Sequence, residues 1–273
     1  FLGTRKSSVY RLLHPTATTK VDLFYYLGKV LGYTTLVVLI FTAGLPILTN
    51  AIARRFFGFE IVEHVRSPVV QGLVVLAVGD FIAYWTHWAR HRFGWWWEVH
   101  KLHHSAEEFN AITTARGHPL DIGAITVTNA IPFAMLGGSI EHYAWVALLM
   151  AVHAGLSHSM LPWSWGWFGR YVLVSPIYHR IHHSALPEHR DKNLASIFPI
   201  WDVLFGTQYR GDRVNAEVGV DDNHFHDKGV LDGITLGMRH AGRAAFSGFR
   251  RLPPPVPVSE VETVYLVSEP ERP

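Results

Sequence analysis

The sequence predicts an all-α integral membrane protein with about four transmembrane helices and a helical, histidine-rich cluster on the cytosolic side. Three observations lead there. Four stretches stay apolar over about the 20 residues that a bilayer crossing needs. Hydrophobic residues make up 49% of the 273-residue chain and charged residues 17%, the latter below the roughly 25% usual for soluble domains. Finally, 18 histidines stand against 24 lysines plus arginines, and many of them are spaced three or four residues apart.

The first span runs from Tyr33 to Ala51 and is apolar all round, unlike the one-sided stripe of a helix on a soluble bundle. The second covers about Val69 to Trp88 and holds one acid, Asp80. The third, Leu120 to Gly138, has Asp121 at its edge and is joined by a short Gly137-Gly138-Ser139 turn to the fourth, His142 to about His158. The chain thus divides into an N-terminal cytosolic segment at 1–32, a membrane-bound domain at 33–248 and a Pro-rich flexible tail at 249–273. No cleavable leader is expected. Trp95, Trp96 and Trp97 suit the aromatic belt at the membrane interface.

Basic residues set an orientation. Arg5, Lys6, Arg11, Lys20 and Lys29 precede span one; Arg90, Arg92, Lys101 and Arg116 lie between spans two and three; Arg170, Arg180, Arg190 and Lys192 follow span four. The opposite side holds Arg54, Arg55 and Arg66. The positive-inside rule places the first three groups in the cytoplasm, in a bacterial inner membrane or the endoplasmic reticulum. A net charge of only +2 gives no field for nucleic acid. The absence of cysteine excludes disulfides, zinc fingers and thiolate-held iron.

The histidines fall into motifs. His87 and His91 form H-x-x-x-H at the end of span two; His100, His103 and His104 form H-x-x-H-H; His179, His182 and His183 form a second H-x-x-H-H. Spacings of three and four put imidazoles on one helical face, and imidazole suits Fe, Zn, Cu and Ni. One zinc or iron takes three or four protein ligands, so eight histidines fit two metals. Binding also relieves the mutual repulsion of clustered cationic rings. All three motifs fall on the side that the basic residues place in the cytoplasm. His118, His153 and His158 stand near the same membrane face and are further candidate ligands, and His189 is a candidate on a loop. His14, His64, His142, His224, His226 and His240 show no ligand spacing. Asp80, seven residues before His87 and on nearly the same face, is expected to hydrogen-bond a ligand imidazole. Asn193 and Asp202 would order the last loop or reach the metals through water.

In this order and around membrane spans, H-x-x-x-H, H-x-x-H-H and H-x-x-H-H resemble the fatty acid hydroxylase / sterol desaturase superfamily. The likeness runs from about Ser67 to Gln208. It includes D-x-x-x-Y-W-x-H (Asp80, Tyr84, Trp85, His87), R-x-H-P (Arg116, His118, Pro119), SPIYHRIHH (Ser175 to His183) and W-D-x-L-F-G-T (Trp201 to Thr207). Where many members have Asn-Tyr-Gly after the third motif, this chain has Asn193-Leu194-Ala195.

The resemblance implies a four-span fold whose cytosolic histidines hold two Fe ions, which zinc may replace in purified protein, with Tyr84 beside the ligands. It implies an O₂-dependent hydroxylase or desaturase acting on C–H bonds of a lipid-like substrate such as a fatty acid or sterol, among membrane lipids. Such a reaction needs external electrons. With no cysteine and no G-x-G-x-x-G fingerprint, they would come from a reductase, a cytochrome b5-like or a ferredoxin-like carrier. Arg90, Arg92, Arg170, Arg180, Arg190 and Lys192 are expected to steer an acidic carrier to the cytoplasmic face. Two rival readings stand against this. A membrane zinc hydrolase wants an acid as in H-E-x-x-H, which His87-Trp-Ala-Arg-His91 lacks. A metal-transport protein wants ionisable groups through the depth of several spans.

Overall fold

The computed structural model of the chain describes residues 7–33, 35–36, 39, 51–52, 55–56, 61–137, 140–211, 217–220, 223, 225 and 228–245. Most of the first expected span, the 138–139 turn and the tail lie outside the described residues, as do His224 and His226. The described residues form helices joined by loops and contain no strand; Ser184 and Val218 make an isolated bridge.

Two short N-terminal helices, α1 (Ser8–Leu13) and α2 (Ala17–Val30), are started by Ser7 and Thr16, whose hydroxyls accept from Tyr10 N and Thr19 N. After α3 (Ile61–His64), the 25-residue α4 (Pro68–Arg92) begins with proline at its first position, where the missing N–H costs nothing. Phe93, in extended conformation, both ends α4 and starts α5 (Gly94–His104). That one-residue corner folds α5 back beside α4.

Then come α6 (Pro119–Leu136) and α7 (Ile140–Ser157), each of 18 residues and packed on α4. Short helices α8 (Gly166–Tyr171), α9 (Pro176–His182) and α10 (Ile200–Phe205) follow. The last helix, α11 (Val230–Ala244), lies along α5. Its approach is close: a Cβ on Gly237 would come within 2.9 Å of the His118 ring.

Among the described residues, α4 is the one helix long and apolar enough to cross a membrane, with mean hydropathy 1.6; only 22% of its most apolar window is buried by protein. The core helix of a soluble bundle is mostly buried. Here Val69 and Leu73 on α4, and Trp145, Leu149 and Val152 on α7, present apolar side chains outward, a surface that water does not favour. The N-terminal helices are not loose appendages. Buried Asp22 on α2 accepts from Arg116 Nε at 2.7 Å, Thr113 Oγ1 at 2.7 Å and Asn110 Nδ2 at 3.0 Å. This pairing satisfies a carboxylate that would otherwise be costly to bury.

Candidate metal centre

Four separate pieces of chain bring histidines to one place. His87 and His91 sit on the last turns of α4, and His100, His103 and His104 on α5 just past the corner. His158 follows the end of α7, and His179, His182 and His183 come from α9 and its C-cap. The ring nitrogens gather in two groups of four. His87, His91, His100 and His104 form the first; His103, His158, His179 and His183 form the second; within each, one nitrogen per ring lies within 4.8 Å of the others. A third group, His104, His182 and His183, joins them, with the His104 and His183 rings stacked at 4.1 Å.

The tautomers are set from outside the cluster. His87 Nδ1 donates to Leu194 O at 2.7 Å, His182 Nδ1 to Lys192 O at 2.9 Å, His103 Nδ1 to Arg116 O at 3.1 Å and His158 Nδ1 to Ala154 O at 2.9 Å. A carbonyl only accepts, so each of these neutral rings carries its proton on Nδ1 and turns a bare Nε2 lone pair inward. The Nε2 atoms of His103 and His158 face each other at 3.3 Å. Two lone pairs at that distance repel, and a shared cation turns the repulsion into binding. Nε2 of His87 and of His182, and both ring nitrogens of His183, are buried without a hydrogen-bond partner in the protein, the state a ligand needs before binding. Burial, and after it the charge of neighbouring rings or of Arg90, holds His100, His103, His104, His179, His182 and His183 well below the usual imidazole range. Neutral imidazole is the metal-binding form, so the donor set fits metal ions.

Two carboxylates complete the first group. Asp121 Oδ2 lies 3.0 Å from His100 Nδ1 while Asp121 Oδ1 accepts from Trp96 Nε1 at 2.9 Å, and Asp191 Oδ1 lies 3.1 Å from His91 Nδ1. Such partners fix a ligand ring and raise its basicity. The second group instead borders open space. A cavity of about 440 Å³ between α4, α6 and α7 reaches His158 and His179, and a neighbouring one of about 250 Å³ reaches His103.

Several expectations are corrected by this arrangement. Of the further candidates, His158 joins the cluster and His153 lies beside it, close enough to His158 and His179 to act on their charge, with its Nε2 buried and without a hydrogen-bond partner, whereas His118 and His189 belong to none of the histidine groups. His118 caps α6, accepting from Leu120 N on Nδ1, and its Nε2 donates to Ile234 O at 2.9 Å; one nitrogen starts α6 and the other docks α11. His153 bonds the Ser196 backbone, and buried His189 packs on Tyr209. Asp80 touches no imidazole. Seven residues are about 10 Å along a helix, too far to reach the His87 ring, and Asp80 instead accepts from Ile197 N, Phe198 N and Trp201 Nε1 at 2.9–3.0 Å. Tyr84 OH meets Thr207 Oγ1 at 2.8 Å.

Asp202 and Asn193 do order the last loop. Asp202 accepts from Leu194 N, Ala195 N and Tyr178 OH, and Asn193, at φ +56°, accepts from Tyr209 N and donates to Tyr178 O. Asp80 and Asp202 therefore clamp the 194–198 loop, and that loop offers Leu194 O to His87. Buried Leu194 and Ala195 pack with Tyr84, Val174 and Tyr178. Of the expected docking cations, Arg180 is buried and Arg90 faces Asp121 at 3.7 Å. Sequence reasoning gave Asp121 and Asp191 no role; the one available signal was an acid at a membrane edge beside histidines.

Comparison with known proteins agrees with this geometry. The fatty acid hydroxylase family profile matches residues 72–207, from the first turns of α4 to just past α10. An alkylglycerol monooxygenase of Caenorhabditis elegans is 30% identical over 131 residues, 47% of this chain and 25% of that protein. A putative methylsterol monooxygenase of Dictyostelium discoideum is 29% identical over 135 residues, 48% of each chain. A very-long-chain aldehyde decarbonylase of Oryza sativa subspecies indica is 28% identical over 180 residues, 60% of this chain and 64% of that one. The matched stretch is thus a quarter to under two thirds of these relatives' length. No solved structure matches the chain. With the three histidine motifs inside the matched region, the chain belongs to the fatty acid hydroxylase / sterol desaturase superfamily.

Proposed function

We propose that the chain is a membrane-bound, non-haem di-iron monooxygenase that hydroxylates a C–H bond of a lipid-like substrate. The observation that carries this is the pair of four-imidazole groups whose lone pairs converge, one of them bordering a cavity. The balance is R–H + O₂ + 2 e⁻ + 2 H⁺ → R–OH + H₂O. Bound iron would supply O₂ activation, which side-chain acid–base chemistry lacks. The nine histidines would hold two ions; Asp121 and Asp191 fix the rings of the first; the walls of the larger cavity hold the reacting carbon near the second.

The electron pair comes from an external reductase or small carrier, because the chain has no cysteine for an iron–sulfur cluster. Arg170 and Lys192, nearer the surface than Arg180, are the cations that would meet it. The orientation follows from the same basic residues: four spans, with the metal centre on the cytoplasmic side. A zinc hydrolase is disfavoured because the two nearest acids bind Nδ1 of His100 and His91, on the side of each ring away from the lone pair.

Metal analysis of protein purified without oxygen tests the reading. About two irons per chain is expected from two four-ligand groups. One zinc per chain with hydrolytic turnover would overturn it.

A further inference from the structure

The larger cavity has a direction. On α4 it is lined from Ala83 to Arg90, on α6 from Asn129 back to Ile125, and on α7 from Met150 down to Ser157 and His158. Each helix runs from its apolar middle towards the metal ligands in that order. Ala83 to Arg90 is about 10 Å at 1.5 Å per residue, and about 440 Å³ is the size of a small-molecule site. Its far end is walled by Ala83, Met150 and Ala151; its near end has Lys29, Arg90, Ser157 and the rings of His158 and His179. Lys29, Arg90 and Ile125 also line the smaller cavity beside His103, so the cations stand where the two volumes meet.

The charge there does not cancel. The larger cavity is lined by Lys29 and Arg90 with no acid. The smaller adds Arg116 and Asp121. Arg116 is answered by Asp22 at 2.7 Å and Arg90 by Asp121 at 3.7 Å, while Lys29 has no ion pair among the described residues. Arg90 Nε is buried without a hydrogen-bond partner. The guanidinium is also one ring away from the ligand atoms, since Arg90 Nη1 lies 3.4 Å from His100 Nδ1.

From this we propose that Lys29 and Arg90 form an anion-binding pair for the head of a single-chain amphiphile, carboxylate or phosphate. The tail runs between α4, α6 and α7, so the carbons next to the head are the ones presented to the second histidine group. This rests on the proposed monooxygenase reading and sharpens it to a substrate class and a position: oxygenation falls within a few carbons of the charged head, with the O₂, electrons and protons already balanced above. A lysine that merely anchors α2 at the membrane surface would give no selectivity inside the cavity.

Binding tests this without turnover. Metal-loaded protein in lipid nanodiscs would be titrated with dodecanoate, dodecyl phosphate and dodecanol, three heads on one chain. Wild type, Lys29→Gln and the cavity-filling Ala151→Trp would be compared, with metal content measured in each. The expected result is at least one anion binding about tenfold tighter than the alcohol, the worth of one charge-assisted hydrogen bond. Whichever anion binds better names the head. Lys29→Gln should cut the preference to about twofold, and Ala151→Trp should remove saturable binding of all three, with metal unchanged in both. Equal affinity for anion and alcohol would overturn the proposal, as would a preference that survives Lys29→Gln or binding that survives Ala151→Trp. Absence of iron would defeat the monooxygenase reading while leaving the anion measurement intact, so the two failures read out separately.

Discussion

The two histidine groups are built from the same side chain and held differently. In the first, His91 and His100 are backed by the carboxylates of Asp191 and Asp121, and neither cavity beside the metal centre is lined by any of its four rings. In the second, His103 and His158 are backed by neutral carbonyls, and three of the four rings border open space. Charged partners make better ligands and a tighter hold; an open flank is where substrate can arrive. On the proposed reading, the difference would give anchoring to the first site and contact with substrate to the second.

The sharpest way to break this comparison is at the residues that join the two groups. His104 and His183 each belong to one group of four and to the joining triad. Either one changed to alanine should take metal from about two ions to well below one and abolish turnover, read by elemental analysis. His158→Ala touches the second group alone and should leave about one ion. Equal loss from all three variants would show a single indivisible site.

Next in size is the loop clamp. Asp80→Ala strips the acceptor from Ile197 N, Phe198 N and Trp201 Nε1, and buried donors left unpaired cost about 1–3 kcal/mol each before relaxation. A loss of about 2–4 kcal/mol in chemical unfolding is expected, with weaker metal binding at the first site, because the clamped loop carries the Leu194 carbonyl that orients His87. Unchanged stability would remove Asp80 from this role.

Asp121→Asn sharpens the comparison more gently. It keeps shape and removes the charge behind His100, so affinity at the first site should fall about 10–100-fold while the second holds its ion. Competition with a graded series of chelators resolves the two. Loss at the second site instead would reverse the assignment.

The mildest probe is pH. His100, His103, His104, His179, His182 and His183 titrate in the folded chain well below their usual range because they are buried. The unfolded chain takes up protons first, near about 6.5, so the stabilising contribution is complete above that value and is lost as pH falls below it. Metal-stripped protein should melt progressively lower from about pH 6.5 downward, and metal-loaded protein should resist to a lower pH. A melting temperature independent of pH over this range would show that the rings are solvated.

Much of this centre was legible along the chain because its signal is local. Spacings of three and four residues are properties of a single helix, so the eight motif histidines, the number of metals they suit and the family all follow from sequence. Span apolarity is local too, and it marked α4 before any packing was known. Other features were settled by contacts between distant segments. His158 and His118 look alike in sequence, each a lone histidine at a membrane edge; one turns into the cluster because α7 ends against α9, and the other docks α11. Asp80 shares a face with His87, but the loop at 194–198 comes to it first. Asp121 and Asp191 owe their roles to rings 21 and 100 residues away. The sequence by itself determined which eight motif histidines pair as candidate ligands, because one helical turn is enough to put two imidazoles on one face. Only the tertiary structure decided what stands behind each ring and which site opens to a cavity, because hydrogen-bond partners and empty space belong to no single segment.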